Sequence, residues 1–148
     1  MRSFSIFFLA LLGTFIIDQN IKTLFVAGYY RAGECIDLVL HYNKGVAFSM
    51  FAFLGPYLKW IQLSFVVGIL FVIFKEGYIK RYAFPLGLLI GGALGNVVDR
   101  FMYEGVVDYV AWHCGFNWAV FNFADIAIDV AVVWLLSMIY FYPEKTKH

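Results

Sequence analysis

Four stretches of the chain are almost entirely apolar, and each is long enough to cross a lipid bilayer as a helix. They run over about Phe4–Phe25, Tyr57–Phe74, Tyr82–Val98 and Phe123–Tyr142. A membrane-spanning helix needs roughly 20 mainly apolar residues. We therefore predict an all-α membrane protein with four transmembrane helices.

Two segments between these stretches have the composition of β-strands. LVLHYNKGVAFSMF, residues 38–51, places β-branched and aromatic residues on both sides of the turn-like Asn43-Lys44-Gly45. VVDYVAW, residues 106–112, is similarly rich in such residues. We predict a hairpin of short strands around the turn, and a small extracytoplasmic β element that rests on the helix ends.

The overall composition also indicates a membrane protein. Of 148 residues, 63% are hydrophobic and 14% are charged, whereas a soluble domain is about half apolar and a quarter charged. We expect one domain over residues 1–148. The net charge of +1 gives no reason to expect a nucleic-acid partner. Cys35 and Cys114 lack a CxxC spacing, and the sequence leaves open whether they pair.

Basic residues predict the orientation of the helices. The segment Lys75–Arg81 is basic, as are Arg2 near the amino terminus and Lys145 and Lys147 in the tail. Four spans place both termini and this segment on one side, and excess Lys and Arg mark the cytoplasmic side. The carboxylate motifs are then predicted on the other side, the extracytoplasmic face.

The third apolar stretch ends in polar residues. In GGALGNVVDR, residues 91–100, the side chains of Asn96, Asp99 and Arg100 share one helical face by their spacing of three and four. Spacing alone also fits a helix end whose charges are solvated at the membrane surface. The preceding glycines predict close packing against another helix. These glycines are Gly91, Gly92 and Gly95.

The first and fourth stretches carry charged residues as well. Asp18 and Lys22 are four residues apart and are predicted to form an intrahelical ion pair. Asn122 and Asp125 have the spacing of a capping box at a helix start. Asp129 lies one turn deeper, where no cap explains it, and we interpret it as a hydrogen-bond partner for a polar group of a neighbouring helix.

Asp108 and Asp125 are the candidates for chemistry. Both fall on the predicted outer side, in mixed polar and apolar surroundings. Two carboxylates close together share one proton, so one can act as a base on water while the other protonates the substrate. Their spacing in the sequence does not establish that they are close.

Four motifs, in order along the chain, resemble those of the lipoprotein signal peptidase family, also called signal peptidase II. DQNIK (18–22) resembles the family's first motif and NKGVAFS (43–49) its second. GGALGNVVDR with VVDY (91–109) resembles the third, and FNFAD (121–125) followed by Ile128 the last. Members of this family are aspartic peptidases of the bacterial inner membrane that remove the signal peptide of prolipoproteins before the diacylglyceryl-modified cysteine.

The resemblance implies that Asp108 and Asp125 are the catalytic pair. It also implies that eight further residues shape the site or bind substrate: Asn43, Gly45, Asn96, Asp99, Arg100, Asn122, Asp18 and Lys22. Tyr109 replaces the Phe expected in the third motif, which is a conservative departure. Asp129 lies beyond the last motif and inherits no role.

The resemblance also implies the partners and the location. The expected partners are a lipid-modified prolipoprotein and membrane lipid, with the protein acting as a monomer. The expected location is the bacterial inner membrane, as a multi-pass protein whose site is on the extracytoplasmic face. We predict no metal and no cofactor, because no cluster of His, Cys and carboxylate residues has ligand spacing.

Two other functions fit parts of the pattern. A small transporter or proton-coupled channel would use Asp18, Asp99 and Asp129 as relay carboxylates. A non-catalytic membrane scaffold would use the polar residues to hold helices together. The chain shows no internal repeat of the kind common in transporters. A scaffold would tolerate loss of Asp108, which lies between helices.

Overall fold

Four long helices and a two-stranded sheet make up the computed structural model. It describes residues 1–45, 50, 52–103 and 105–142. The helices are α1 (Arg2–Val26), α2 (Leu58–Lys75), α3 (Ile79–Met102) and α4 (Phe123–Phe141), and the strands are β1 (Ile36–Asn43) and β2 (Val106–Trp112). A 3-10 segment, Ala52–Tyr57, leads into α2. The described residues hold four helices long and apolar enough to cross a membrane, so the predicted fold class is confirmed.

The third helix is longer than its apolar stretch predicted. It begins at Ile79 and continues to Met102, so Asp99 and Arg100 lie in its last turn instead of following it. The apolar stretch is shorter than the helix because the last turn of the helix carries the charged residues Asp99 and Arg100. Both side chains have hydrogen-bond or ion-pair partners inside the protein. This extra turn carries polar side chains up to the sheet.

Helix α3 lies at the centre of the bundle and packs against the other three helices. The predicted close approach at its glycines is confirmed. A Cβ on Gly91 would lie 2.6 Å from the carbonyl oxygen of Leu11 in α1, and one on Gly92 would lie 2.8 Å from that of Ala124 in α4. The buried apolar residues of the largest core cluster are Phe7, Val66, Ile73, Ile79, Ala83, Leu86, Ile90 and Val97.

The two strands lie antiparallel at one end of the bundle. Ile36 pairs with Trp112 and Asn43 with Val106, with an irregularity in register between Leu38 and His41. The strand predicted at residues 106–112 is therefore confirmed.

Strand β1 pairs with β2, from the connection between α3 and α4, a pairing that the sequence did not predict. The predicted second arm lies mostly in residues 46–49 and 51, outside the described part of the chain. A disulfide joins Cys35 to Cys114 with a Cα–Cα distance of 4.4 Å. This bond ties the start of β1 to the segment after β2.

Candidate active site

Strand β2 and the first turn of α4 bring two carboxylates to one site below the sheet. Asp108 is 1% exposed and lies in β2, and Asp125 lies in the first turn of α4. Asn122 connects them: its side-chain amide donates to Oδ1 of Asp108 over 2.7 Å, and its side-chain oxygen accepts from the backbone N–H of Asp125 over 2.9 Å. The two strongest candidates from the sequence are thus held by one buried asparagine.

Two further asparagines orient the same carboxylates. Asn43, at the end of β1, donates from Nδ2 to Oδ2 of Asp108 over 3.0 Å. Asn96 of α3 donates from Nδ2 to Oδ1 of Asp125 over 2.8 Å. Each aspartate therefore accepts side-chain N–H groups that fix its orientation without neutralising its charge.

The start of α4 is anchored by side chains from three elements. Asn122 and Asp125 form the predicted capping box, in which Oδ2 of Asp125 accepts from the backbone N–H of Asn122 over 3.1 Å. Oδ1 of Asp18, in α1, accepts from the backbone N–H of Ala124 over 3.1 Å. These bonds satisfy N–H groups that the first turn of a helix leaves without intrahelical partners, and they fix the position of Asp125.

A buried lysine connects the helices behind the site. Nζ of Lys22 lies 2.8 Å from Oδ2 of Asp18 and 2.7 Å from Oδ2 of Asp99, and it donates to Oδ1 of Asn96 over 2.8 Å. The predicted ion pair between Asp18 and Lys22 is confirmed. Asp99 in turn accepts from the backbone N–H of Val107 over 3.1 Å. One cation therefore links α1 and α3 to the strand that carries Asp108.

Arg100 and Gly45 connect α3 to the end of β1. The Arg100 guanidinium donates from Nη2 to the carbonyl oxygen of Gly45, and the Gly45 N–H donates to Oδ1 of Asn43 over 3.0 Å. Nε and Nη1 of Arg100 are buried with no hydrogen-bond partner in the described part of the chain. All ten site residues predicted from the sequence thus belong to one connected network.

A cavity of about 490 Å³ opens beside the two aspartates. Its walls include Gln62 of α2, Asn96 and Arg100 of α3, and Asp125 and Asp129 of α4. Helices α2 and α4 stand on either side of this cavity and α3 forms its floor. Asp108 faces the same cavity from β2.

Asp129 does not have the role expected from the sequence. It makes no hydrogen bond or ion pair within the described residues, so the expected bond to a neighbouring helix is not formed there. It lies one turn beyond Asp125, is exposed, and lines the cavity instead. The spacing of four placed it correctly on the face of Asp125, but only helix packing shows what that face contacts.

The electrostatics of β2 favour a protonated carboxyl group. Burial, and then the negative charge of Asp125, raise the pKa of Asp108 to about 7, against the hydrogen bonds from Asn43 and Asn122 that lower it. Burial also raises the pKa of the neighbouring Tyr109 to about 12, so that its hydroxyl stays neutral. At neutral pH Asp108 is therefore poised between its two protonation states.

Three residues of the site were missed or underrated from the sequence. Gln19 donates from Nε2 to Oδ1 of Asp99 over 3.0 Å, and its position next to Asp18 in an apolar stretch was the available signal. The Tyr109 hydroxyl accepts from the backbone N–H of Phe123 over 3.0 Å, which makes this departure from the motif a structural contact. Gln62 is a polar residue within the apolar stretch of α2.

No group of three or more His, Cys, Asp or Glu side chains among residues 1–45, 50, 52–103 and 105–142 is arranged to hold a metal ion. The polar atoms that face the cavity belong mainly to carboxylates and amides. Such groups accept and donate protons and orient water, which is the chemistry of general acid and base catalysis.

Comparisons with known proteins identify the family and the fold of the chain. The family described as signal peptidase (SPase) II matches residues 10–141. A lipoprotein signal peptidase of Sulfurovum sp. (strain NBC37-1) is 72% identical over 145 residues, which cover 98% of this chain and 99% of that protein. A lipoprotein signal peptidase of Sulfurimonas denitrificans is 55% identical over 150 residues, covering 100% and 95%. A solved structure described as a bacterial membrane enzyme shares the fold, with a TM-score of 0.77, 21% identity and coverage of 95% and 92%.

The fold and the site define a helical membrane protein with a carboxylate-lined cavity beneath a small sheet. The match over residues 10–141 and the high identity to relatives along nearly their whole length show the family. The chain belongs to the signal peptidase II family, and it is a membrane protease of that family.

Proposed function

We propose that this protein is an aspartic endopeptidase that removes the signal peptide from diacylglyceryl-modified prolipoproteins, cutting just before the lipidated cysteine. The observation that carries the proposal is the pair of carboxylates, Asp108 and Asp125, which are joined through Asn122 and line one cavity. Because every residue of the connected network belongs to one chain, the protein is proposed to act as a monomer.

In the proposed mechanism the pair shares one proton. The ionised carboxylate takes a proton from water as the water oxygen attacks the scissile carbonyl carbon, and the protonated carboxyl group donates to the carbonyl oxygen. As the tetrahedral intermediate collapses and its C–N bond breaks, one of its hydroxyl groups returns a proton to the carboxylate that had donated one, and the proton taken from water passes to the leaving amine. A pKa of about 7 for Asp108 supports sharing of a proton at neutral pH.

The amides and backbone groups around the pair keep the two carboxylates in position. Each of the four carboxylate oxygens accepts one hydrogen bond, from Asn43, Asn96 or Asn122, so each keeps a second lone pair for water and substrate. Positioning of this kind raises the rate because the reacting groups need not be ordered during the reaction. Arg100, with two buried N–H-bearing nitrogens that lack a partner among the described residues, is proposed to bind substrate carbonyl groups.

The position of the cavity suits a substrate that is itself in the membrane. The cavity lies between α2 and α4 at the end of the bundle that carries the sheet. A signal peptide can enter sideways between these helices while the acyl chains on the cysteine remain in the lipid. The apolar outer surfaces of α2 and α4, which include Phe65, Phe71 and Leu136, fit contact with acyl chains.

The site is proposed to face the extracytoplasmic side of a bacterial inner membrane. The disulfide between Cys35 and Cys114 supports this, since disulfides persist in oxidising compartments and the bond lies beside the sheet at the site. The basic segment between α2 and α3 is at the other end of the bundle and supports a cytoplasmic location there.

The transporter alternative has less support than the peptidase. A relay carboxylate must exchange protons with water, but Asp18 and Asp99 are both 0% exposed and both are ion-paired to Lys22. The scaffold alternative does not explain the cavity that Asp108 and Asp125 line.

An assay with purified protein in detergent tests the proposal. The substrate is a prolipoprotein, presented with and without the diacylglyceryl group on its cysteine, and the products are resolved by mass. We expect cleavage of the modified substrate immediately before the cysteine and little cleavage of the unmodified one. Equal rates for the two would contradict the lipid requirement, and an intact modified substrate would contradict the proposed function.

A further inference from the structure

We propose that Gln62 and Asp129 form a polar subsite that binds a hydroxyl-bearing side chain of the substrate, in the signal-peptide segment just before the cut. The inference rests on the proposed function, because it assigns part of the same cavity to a part of the same substrate. It concerns which prolipoproteins are cut fastest, and it leaves the chemistry of the bond cleavage unchanged.

The first observation is the position of Asp129. It follows Asp125 by four residues on α4, which places it about 6 Å further along the helix, away from the sheet. It is exposed, it lines the cavity, and it has no hydrogen-bond or ion-pair partner among the described residues. An ionisable group at membrane depth is costly unless it meets water or a partner. An unpartnered carboxylate in a membrane helix therefore needs water or a ligand in the cavity, and it is available to bind a ligand that enters.

The second observation comes from the opposite wall. Gln62 lines the same cavity from α2, and its Oε1 atom is buried without a donor in the part of the chain that the structure describes. A buried acceptor without a donor is unfavourable, and such an atom in a native structure needs an explanation. Gln62 and Asp129 belong to different helices, so the two acceptors are independent features.

The chemistry of the two walls selects the ligand. The Asp129 carboxylate accepts hydrogen bonds, and the Gln62 amide both accepts and donates them, so the two groups suit a ligand that can donate one hydrogen bond and accept another, and acyl chains can do neither. The backbone N–H groups of a helical signal peptide are already used within that helix, which leaves side-chain donors. Serine and threonine hydroxyls are small enough for a segment that passes between helices. Because the signal peptide enters the membrane on the amino-terminal side of the cut, the residues that reach this depth precede the scissile bond.

The experiment compares lipopeptides that carry diacylglycerol on the cysteine and differ by a single atom. At each of the three positions before the cysteine, one peptide has Ala and its partner has Ser. The measurement is the ratio of kcat/KM for Ser over Ala at each position, with the enzyme in detergent. This ratio does not depend on the fraction of folded enzyme, because both peptides meet the same preparation.

For the natural protein we expect a ratio of about ten at one of the three positions, which is the effect of one good hydrogen bond. Asp129→Val and Gln62→Leu each remove a hydrogen-bond partner of the hydroxyl and should bring that ratio close to one. Asp129→Asn keeps an oxygen acceptor and should retain part of the preference. Ser137→Ala is the matched control: it removes a polar group from α4 two turns beyond Asp129, outside the cavity lining, and should leave the ratio unchanged.

The outcomes separate the subsite from the proposed function. If the natural protein cuts neither lipopeptide, the proposed function fails. If it cuts both with a ratio near one at every position, the function stands and the subsite is wrong. The subsite is also wrong if Asp129→Val slows cleavage of the Ser and Ala peptides equally, since that result would assign Asp129 to hydration of the cavity.

Discussion

The side-chain amide of Asn122 donates to Oδ1 of Asp108 over 2.7 Å, and this one bond ties the strand β2 to the start of the helix α4. Because Asn122 also caps α4 through Asp125, the distance between the two carboxylates depends on the end of a helix and the register of a strand. The fold thus brings to one cavity two carboxylates that come from a strand and from the first turn of a helix.

Replacing Lys22 should destabilise the protein more than any exposed substitution. Lys22→Met leaves Asp18 and Asp99 buried without their shared cation, and removing one partner from a buried ion pair costs about 3–5 kcal/mol. Thermal unfolding in detergent measures the loss. The control is Lys75→Met, which removes an exposed lysine at the end of α2 and should change stability by less than about 0.5 kcal/mol. Similar melting temperatures for the two variants would show that the Lys22 network contributes little to stability.

Removing the hydroxyl of Tyr109 should remove one hydrogen bond and leave the fold intact. In Tyr109→Phe the ring still stacks on Phe25, with centroids 4.2 Å apart, while the backbone N–H of Phe123 loses its acceptor. We expect a loss of about 1 kcal/mol in unfolding free energy and a small effect on cleavage. An unchanged melting temperature would mean that water replaces the hydroxyl at no cost.

The raised pKa of Asp108 predicts how stability depends on pH. The pKa of its carboxyl group is about 7 in the folded protein but near its ordinary value of 3.8 in the unfolded chain. Between these values the folded state holds more protons, so the unfolding free energy falls as pH rises towards 7 and then levels off. Asp108→Asn removes this fall in unfolding free energy. The melting temperature of the variant should therefore rise relative to that of the natural protein between pH 5 and pH 8.

Glu34→Gln serves as the control for that measurement, because it removes an exposed carboxylate that does not line the cavity. It should follow the natural protein across the same pH range. Cleavage should decrease above about pH 7 in the natural protein, because the shared proton is then lost. A relative melting temperature of Asp108→Asn that does not change with pH would contradict the raised pKa.

Cleavage is predicted to proceed without a metal ion. Carboxylates that share a proton can activate water themselves, so a chelator should leave the rate unchanged. The measurement is cleavage of the lipid-modified substrate before and after dialysis against a chelator. Loss of activity that zinc restores would overturn the carboxylate mechanism.

The sequence predicts the helices well because apolar composition over about 20 residues is sufficient for a membrane span. It could not place β1 against β2, because pairing depends on how the ends of α1 and α3 lie side by side. Gln62 shows why the candidate site could be predicted only in part from the sequence. A single polar residue in α2 has no periodic partner, so its direction depends on the rotation of the helix, which only packing against α3 determines.

The decisive test concerns the two aspartates. Asp108→Asn and Asp125→Asn should each reduce cleavage at least about a hundredfold, since an amide cannot take a proton from water. If the pair acts through one shared proton, losing either member removes both roles, and the double variant should be no slower than the single ones. Asp129→Asn should lose much less, because it lies a turn away from the pair and keeps an acceptor oxygen. The measurement is single-turnover cleavage of the lipid-modified substrate.

Thermal melts must accompany these rates, because Asp125 also accepts a bond from the backbone N–H of Asn122 in the capping box. Loss of a cap costs about 1 kcal/mol, which lowers the melting temperature but leaves a folded enzyme at assay temperature. A folded Asp125→Asn variant without activity therefore separates chemistry from capping. Near-normal turnover by either aspartate variant would refute the shared-proton mechanism, and Asp125 would then be a helix cap whose carboxylate has no part in the reaction.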